Sequence, residues 1–348
     1  TTSNRAHVAL LHDPNRQIFL LGMEDITRPG GDRDFNDAIF YVTASPYSAV
    51  NSTNMAATVI NGNDTDGDGV TDANDEYPYD PTAAFSSYAP GQGVTATLAF
   101  EDLYPLRGDY DMNDVVVDYN IVYLKNAANQ VSKMRFNLTL RAFGGGYRNG
   151  FAFEMPFPAS DVSLVTGNSI TENYINMSSN GLESGQPNAV IVAFDNSYSL
   201  MSSQGGNFVN TQIGNVFTNP IEISVEATFV TPKQESACGT APYNPFIMAN
   251  LQRGHEVHLP DYPPTALADL SLFGTGHDDS NTGQGRYYKS ENNLPWAIHL
   301  PSTFAYPVEK VPINQAYVKF GEWAESGGTI FNNWFEPVSG YRDASKIY

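Results

Sequence analysis

Residues 100–118 read FEDLYPLRGDYDMNDVVVD, an acidic loop between two apolar stretches. Residues 23–41, the first copy of this pattern, read MEDITRPGGDRDFNDAIFY. At a constant offset of 77 residues, seven of nineteen positions are identical, and six of those seven carry oxygen side chains. The flanking stretches keep only their apolar character. The identical pairs are Glu24/Glu101, Asp25/Asp102, Gly31/Gly108, Asp32/Asp109, Asp34/Asp111, Asn36/Asn113 and Asp37/Asp114.

Retention of oxygen side chains in both copies favours a hard cation. Ca²⁺ takes six to eight oxygen ligands, commonly from Asp, Asn and Glu. We therefore predict that each copy binds one Ca²⁺ through the oxygen-bearing residues of these pairs. The alternative is a network of Asx turns that holds the strand corner without metal.

A third acidic segment, residues 61–81, reads NGNDTDGDGVTDANDEYPYDP. Its spacing is that of a calcium loop, in which side chains at positions 1, 3 and 5 and a carbonyl at position 7 bind the ion. Asp75 stands where an EF-hand has Glu, and Pro78 prevents a normal exiting helix, so we predict a calcium loop without EF-hand helices. A solvated acidic linker is the alternative. The predicted ligands are Asp64, Asp66, Asp68, the Val70 carbonyl, Asp72 and Asp75, which brings the expected total to about three Ca²⁺.

Charge and composition exclude several classes of function. The 348 residues include 38 Asp and Glu against 18 Lys and Arg, a net charge of −20, which argues against nucleic acid as a partner. No apolar run approaches the roughly 18 residues that a membrane span needs. Cys238 is the single cysteine, so rigidity must come from core burial or metal. We interpret the start at Thr1 as that of a mature, exported chain whose signal has been removed.

Short apolar stretches separated by Gly, Pro and Asn predict an all-β fold, a β-sandwich or jelly roll. One short helix is expected near the C-terminus, beginning at Pro312 and ending before Gly327. The predicted strands are 7–11, 18–22, 38–43, 95–100, 115–123, 134–143, 150–155, 189–194, 221–230 and 296–300, and the first two form a hairpin around Asp13-Pro14-Asn15.

Two family resemblances follow from these motifs. Residues 7–43, with HVALLHDPNRQIFLLGMEDI and GGDRDFNDAIFYV, resemble the DUF4114 module of secreted bacterial proteins and large adhesins. The segment from about 94 to the end resembles the LruC domain (DUF4842) in FEDLYPLRGDYDMNDVVVDY, FGGGYRNGFAFEMP, RGHEVHLPDYPPT and LPWAIHLPSTFAYPVEKVPINQAYVKFGEWAESGG. DTDGDGVTDANDEYPYDP resembles a thrombospondin type 3 calcium repeat. We therefore expect a calcium module at 1–60, a calcium connector at 61–85 and an LruC-like β-sandwich at 86–348.

These resemblances imply an exported or surface-anchored bacterial protein and bring no catalytic residues. We expect a non-catalytic calcium-binding module for adhesion, matrix attachment or appendage assembly, with surface or matrix proteins, glycans or its own copies as partners. A calcium-dependent carbohydrate or peptide binder, a purely structural filament or surface-layer subunit and, last, a hydrolase are the alternatives. Gly144-Gly145-Gly146 predicts a corner of close approach, or a ligand pocket with Arg141 and Arg148, whose guanidinium groups could hold a carboxylate.

Overall fold

The computed structural model describes residues 7–25, 35–58, 62–202 and 208–348. The chain forms two compact units, Thr1–Ser86 with Leu124–Ser132, and Ser87–Tyr123 with Lys133–Tyr348. Three sheets and only short helices make up both, which confirms the predicted all-β class. In the described part of the chain, no helix has the length and apolarity that a membrane crossing requires. The predicted three-way domain division stays a prediction.

The first unit contains a four-stranded sheet in the order β3-β2-β1-β4. The predicted hairpin of β1 and β2 is confirmed, and its turn is held by Asp13, whose Oδ1 accepts from the backbone N–H groups of Asn15 and Arg16, both at 3.0 Å. β3 pairs with β2 antiparallel, whereas β4 runs parallel to β1. The bounds are β1 (Val8–Asp13), β2 (Ile18–Met23), β3 (Ala38–Thr43) and β4 (Ala56–Ala57).

Two sheets dominate the second unit. One has the order β10-β12-β8-β7-β6-β15, with β5 beside β7, and the other has the order β11-β9-β13-β14. The strands are β5 (Phe85–Ala89), β6 (Ala96–Phe100), β7 (Val115–Lys125), β8 (Val131–Ala142), β9 (Gly150–Pro158), β10 (Val162–Thr166), β11 (Asn188–Phe194), β12 (Ile221–Lys233), β13 (Asn244–Met248), β14 (Glu256–His258) and β15 (Ala297–Leu300).

Aromatic side chains join these two sheets into a sandwich. Phe136 of β8 packs against Phe153 of β9, with ring centroids 5.1 Å apart, and Phe100 of β6 meets Phe151 of β9 at 6.0 Å. β7 is buried along nearly its whole length, because its other face is also covered. The core is therefore built on both faces of the larger sheet, as expected for strands that read as continuous apolar runs.

The second face of the larger sheet lies under a C-terminal cluster of aromatic side chains and two short helices. We predicted one helix here, and the structure has two, α2 (Ile313–Ala316) and α3 (Phe320–Glu325), in addition to α1 (Ser197–Leu200). The break falls at Tyr317, whose backbone is extended and whose hydroxyl donates to the Ala305 carbonyl at 2.5 Å. Burial of that ring between Phe304 and Trp334 outweighs helical continuity.

All ten predicted strands are present, with ends shifted by a few residues. The five strands that the sequence did not predict are short or poor in β-branched residues: β4, β5, β10, β13 and β14. β13 carries Pro245 inside the sheet, which argued against a strand. Tertiary pairing, not local preference, forms these strands.

Trp334 lies at the centre of the contacts in the C-terminal aromatic cluster, so we expect its replacement to destabilise the fold. Its ring is almost fully buried and lies 5.0 Å from the ring of Phe320 and 5.2 Å from that of Tyr317. We expect Trp334→Ala to lower the free energy of unfolding by about 3–5 kcal/mol, because it leaves a large cavity. Urea unfolding followed by circular dichroism measures this change. Val318→Ala, at an exposed position nearby, should change stability by less than about 0.5 kcal/mol, and equal effects of the two would contradict the assigned packing.

Candidate metal centre

The second copy of the repeat forms the corner between β6 and β7, residues 101–114, which we call the acidic corner. Tyr110 and Met112 have left-handed backbones, with φ of 61° and 56°, which is uncommon outside glycine. Both side chains are buried in the C-terminal aromatic cluster, and the Met112 N–H donates to Glu101 Oε1 at 2.6 Å. Packing of these alternate residues into the core leaves the intervening acidic residues to face one another.

Three carboxylates of the acidic corner converge. Glu101, Asp109 and Asp111 each offer an oxygen, and these oxygens lie within 4.8 Å of one another. Glu101 is fully buried, and its Oε2 has no hydrogen-bond partner. A buried charged oxygen without a partner is costly, so this geometry suits a bound cation.

Two further carboxylates, those of Asp102 and Asp114, lie close together where the acidic corner begins and ends. The Asp102 N–H donates to Asp114 Oδ2 at 2.9 Å, and Asn149 Nδ2 donates to Asp102 Oδ2 at 2.7 Å. A Cβ on Gly145 would stand 2.3 Å from Asp102 Oδ2, so only glycine allows this approach. The predicted close-approach corner at the triple glycine is therefore present.

Four carboxyl groups of the acidic corner, those of Glu101, Asp102, Asp111 and Asp114, have raised pKa values. Burial, followed by the charges of Asp109 and Glu309, raises the pKa of Asp111 to about 8. Burial raises the pKa of Asp102 to about 6. Burial and neighbouring carboxylates also raise the pKa of Glu101 and that of Asp114 well above their usual values. These groups resist being ionised together unless positive charge lies among them.

The described ends of the first copy, residues 23–25 and 35–41, show the same local geometry. The Asp25 N–H donates to Asp37 Oδ2 at 2.8 Å, as Asp102 does to Asp114, and Phe35 has φ of 58°, as Met112 has 56°. Oxygens of Glu24, Asp25 and Asp37 lie within 4.8 Å of one another, and both oxygens of the buried Glu24 have no hydrogen-bond partner. Asn36 is exposed, and the predicted ligands Asp32 and Asp34 lie outside the described residues.

The Asp-rich loop, residues 64–75, also gathers its carboxylates. Oxygens of Asp64, Asp66 and Asp68 lie within 4.8 Å of one another. Asp66 Oδ2, Asp68 Oδ2 and Asp75 Oδ2 are buried without hydrogen-bond partners. Burial, together with the charges of neighbouring Asp residues, raises the pKa of Asp68 and that of Asp75.

Hydrogen bonds within the Asp-rich loop set its shape. Asp64 accepts from the N–H groups of Gly67 and Gly69, at 2.8 and 3.0 Å, and the Val70 side chain is buried. Both oxygens of Asp72 accept from Thr65, at 2.8 Å each. Asp72 therefore braces the loop through both oxygens, and its predicted role as a ligand stays a prediction.

The two arginines predicted to form a ligand pocket each contact partners within the protein. Arg141 donates to the Phe304 carbonyl at 2.7 Å and lies 3.4 Å from Asp118. Arg148 is mostly exposed and lies 3.8 Å from Glu172. These contacts do not support a shared carboxylate pocket.

Glu309 lies beside the acidic corner, and the sequence did not predict a carboxylate from this part of the chain there. Its Oε2 accepts from Thr211 Oγ1 at 3.0 Å and would lie 2.9 Å from a Cβ on Gly144. Burial, the Asp109 charge and the Asp102 charge outweigh the Thr211 hydrogen bond and raise its pKa to about 7. Glu309 lies about two hundred residues along the chain from the loop, between Val308 and Lys310, so no local pattern identifies it.

The raised pKa of Asp111 predicts how stability changes with pH. Since the folded chain holds this proton up to about pH 8 and the unfolded chain loses it near the usual 3.8, its contribution to stability is lost as pH rises through that window. In calcium-free buffer, the wild-type melting temperature should therefore fall between pH 5 and pH 8. Asp111→Asn should flatten this fall, and an unchanged slope in the variant would contradict the assignment.

Comparison with known proteins gives two family matches and a similar crystal structure. A domain of unknown function, DUF4842, matches residues 129–335, and a second, DUF4114, matches residues 2–45. The crystal structure of a "Putative lipoprotein from Bacteroides ovatus" has a similar fold, with a TM-score of 0.54 and 20% identity over 73% of this chain and 75% of that one. No curated protein matches the sequence. The thrombospondin type 3 resemblance stays a prediction. The DUF4842 match spans more than half of the 348 residues of the chain, which therefore belongs to the DUF4842 family, with a DUF4114 module at residues 2–45.

Proposed function

We propose that the chain is a non-catalytic, calcium-binding module of a bacterial protein outside the cell or on its surface. Bound Ca²⁺ makes three loops rigid, and the rigid module serves adhesion, matrix attachment or assembly of a surface appendage. Its partners are other surface or matrix proteins, glycans or further copies of itself. The observation that carries the proposal is the set of buried carboxylate oxygens without partners, found in all three acidic loops.

The donor set of the loops favours calcium over other metals. Glu101, Asp109 and Asp111 supply hard oxygen ligands, and so do Asp64, Asp66 and Asp68. Zinc and copper sites use His or Cys, and Mg²⁺ demands a tighter octahedron with several waters. Loops rich in carboxylates, with room for six to eight oxygens, suit Ca²⁺ best.

A location outside the cytoplasm is supported by composition and by the structural neighbour. The net charge of −20 is large for a compact chain, and divalent cations would offset part of that repulsion. Extracellular calcium is abundant enough to fill sites of modest affinity. The crystal structure with a similar fold is titled a "Putative lipoprotein from Bacteroides ovatus", which fits a surface role.

Calcium should raise the melting temperature of the protein. If Ca²⁺ binds only the folded chain, a concentration 100-fold above the dissociation constant stabilises each site by about 2.7 kcal/mol. Asp66→Asn should reduce both this gain and the number of ions in a calorimetric titration, because Asp66 supplies an unpartnered buried oxygen. Glu222→Gln removes one charge from an exposed position on β12 and should change neither measurement. Equal melting of the wild type in calcium and in chelator would overturn the proposal.

A second candidate, a calcium-dependent binder of carbohydrate or peptide, is favoured by a cleft beside the acidic corner. The cleft has a volume of about 460 Å³ and is lined by Arg107 and Tyr110 of the corner, together with His277, Asp278 and Glu291. Polar groups beside an aromatic ring are typical of small-molecule sites. Ca²⁺ bound at the acidic corner would fix the position of Arg107 and Tyr110, which form one wall of this cleft.

Glycan and peptide arrays probed in calcium and in chelator test this second candidate. Binding that requires calcium and is lost in Arg107→Ala, while Arg148→Ala retains it, would support a ligand site in the cleft. No binding on either array, combined with filaments in negative-stain images, would favour the structural subunit instead.

A further inference from the structure

We propose that the acidic corner holds two divalent cations and that Glu309, with Asn113, binds the second. This inference rests on the proposed calcium binding and deepens it. It assigns a ligand role to a residue far from the repeated loop in sequence, and it changes the number of ions expected for the corner from one to two.

The oxygens of the acidic corner form two groups. Glu101, Asp109 and Asp111 make up the first group, within 4.8 Å of one another, and Glu309 is not a member of it. The second group surrounds Gly144: the place that a Cβ would take there lies 1.8 Å from Asn113 Oδ1 and 2.9 Å from Glu309 Oε2.

The neighbouring glycine extends the second group. A Cβ on Gly145 would lie 2.3 Å from Asp102 Oδ2 and 3.1 Å from Asp114 Oδ1. Gly144 and Gly145 are consecutive, so both sets of oxygens lie against the same short stretch of backbone. Without Cβ atoms, the two glycines let oxygens from four side chains in different parts of the chain come this close.

Asn113 gives independent evidence for a ligand in this space. Its side chain is fully buried, and its Nδ2 donates to the Pro307 carbonyl at 3.1 Å, which fixes the orientation of the amide. The amide oxygen therefore faces the Glu309 side, and it has no hydrogen-bond partner. A buried carbonyl oxygen beside a carboxylate oxygen is a repulsive arrangement, and a cation between them converts both into ligands.

The charge of the acidic corner and of Glu309 beside it favours more than one ion. Electrostatic interactions connect six carboxyl groups there: Glu101, Asp102, Asp109, Asp111, Asp114 and Glu309. One Ca²⁺ neutralises two of these charges and leaves four, whereas a second ion leaves two. With two ions, three carboxylates are present for each cation, and backbone, amide or water oxygens complete the six to eight ligands that Ca²⁺ takes.

A second cation would join segments that are far apart in sequence. The Lys310 N–H donates to Asp111 Oδ2 at 2.7 Å, and the Glu309 N–H donates to the Thr211 carbonyl at 2.9 Å. At the start of α2, the Ile313 N–H donates to the Tyr110 carbonyl at 2.7 Å. The ion at Glu309 thus fastens the segment that leads into the C-terminal helices to the β6–β7 corner.

Native mass spectrometry of the full chain across a Ca²⁺ titration tests the inference. Glu309→Gln should bind one ion fewer than the wild type, and Asp111→Asn/Glu309→Gln should bind two fewer. Glu336→Gln, which removes an exposed carboxylate nearby in sequence, should bind the wild-type number. Melting temperatures in chelator separate a ligand from a merely structural residue. Glu309→Gln should melt no lower than the wild type without calcium, because it removes a buried charge, and lower than the wild type with calcium.

The outcomes distinguish this inference from the function on which it rests. A wild type that binds no calcium overturns both. A wild type that binds calcium, with an unchanged ion count in Glu309→Gln, overturns the second site alone, and so does a Glu309→Gln variant that already melts lower in chelator. Loss of one ion, with normal melting in chelator, supports the assignment.

Discussion

The cost of burying ionised carboxylates governs this structure. Glu101, directly after β6, is fully buried, and Asp111 and Asp114 are almost as deeply buried. Carboxylates removed from water must be protonated, paired with cations or hydrogen-bonded throughout. In the acidic corner, hydrogen bonds occupy only some of the oxygens, and Glu101 Oε2 is left without a partner. The rest of this charge is offset by protons, as the raised pKa values indicate, or by the Ca²⁺ that we propose.

The sandwich supplies the rigidity that this arrangement needs. β6 and β7 are antiparallel neighbours in which Ala96 pairs with Tyr119 and Phe100 pairs with Val115. Both ends of the acidic corner are therefore fixed by sheet hydrogen bonds. Tyr110 and Met112 then anchor the loop in the C-terminal aromatic cluster. A loop held at both ends and at two points between them cannot open to hydrate its carboxylates. With a single cysteine in the chain, burial holds such loops in place, and the Ca²⁺ that we propose would add to this stabilisation.

The sequence predicted local features well and tertiary ones poorly. The 77-residue repeat identified both strand corners, and the shared backbone contact of Asp25 with Asp37 and of Asp102 with Asp114 confirms the internal duplication. Apolar periodicity identified the long strands because their burial is continuous. Glu309 escaped notice because a Glu next to a Lys reads as an exposed charged pair. Its burial depends on a fold that brings Thr211 and Gly144 to the same place.

Glu256, in the second unit, shows how this chain neutralises a buried acid without metal. Glu256 on β14 is as deeply buried as Glu101, yet it pairs with Arg253 and accepts from His258 Nε2 at 2.8 Å. Burial would raise its pKa, but these partners lower it to about 2, so Glu256 is a stable carboxylate. Among the described residues, none of the ion pairs involves Glu101, Asp111 or Asp114. The same domain thus supplies an arginine where a buried acid is structural. Where the repeat places its acids, the chain provides oxygens in excess, and that surplus is what a divalent cation requires.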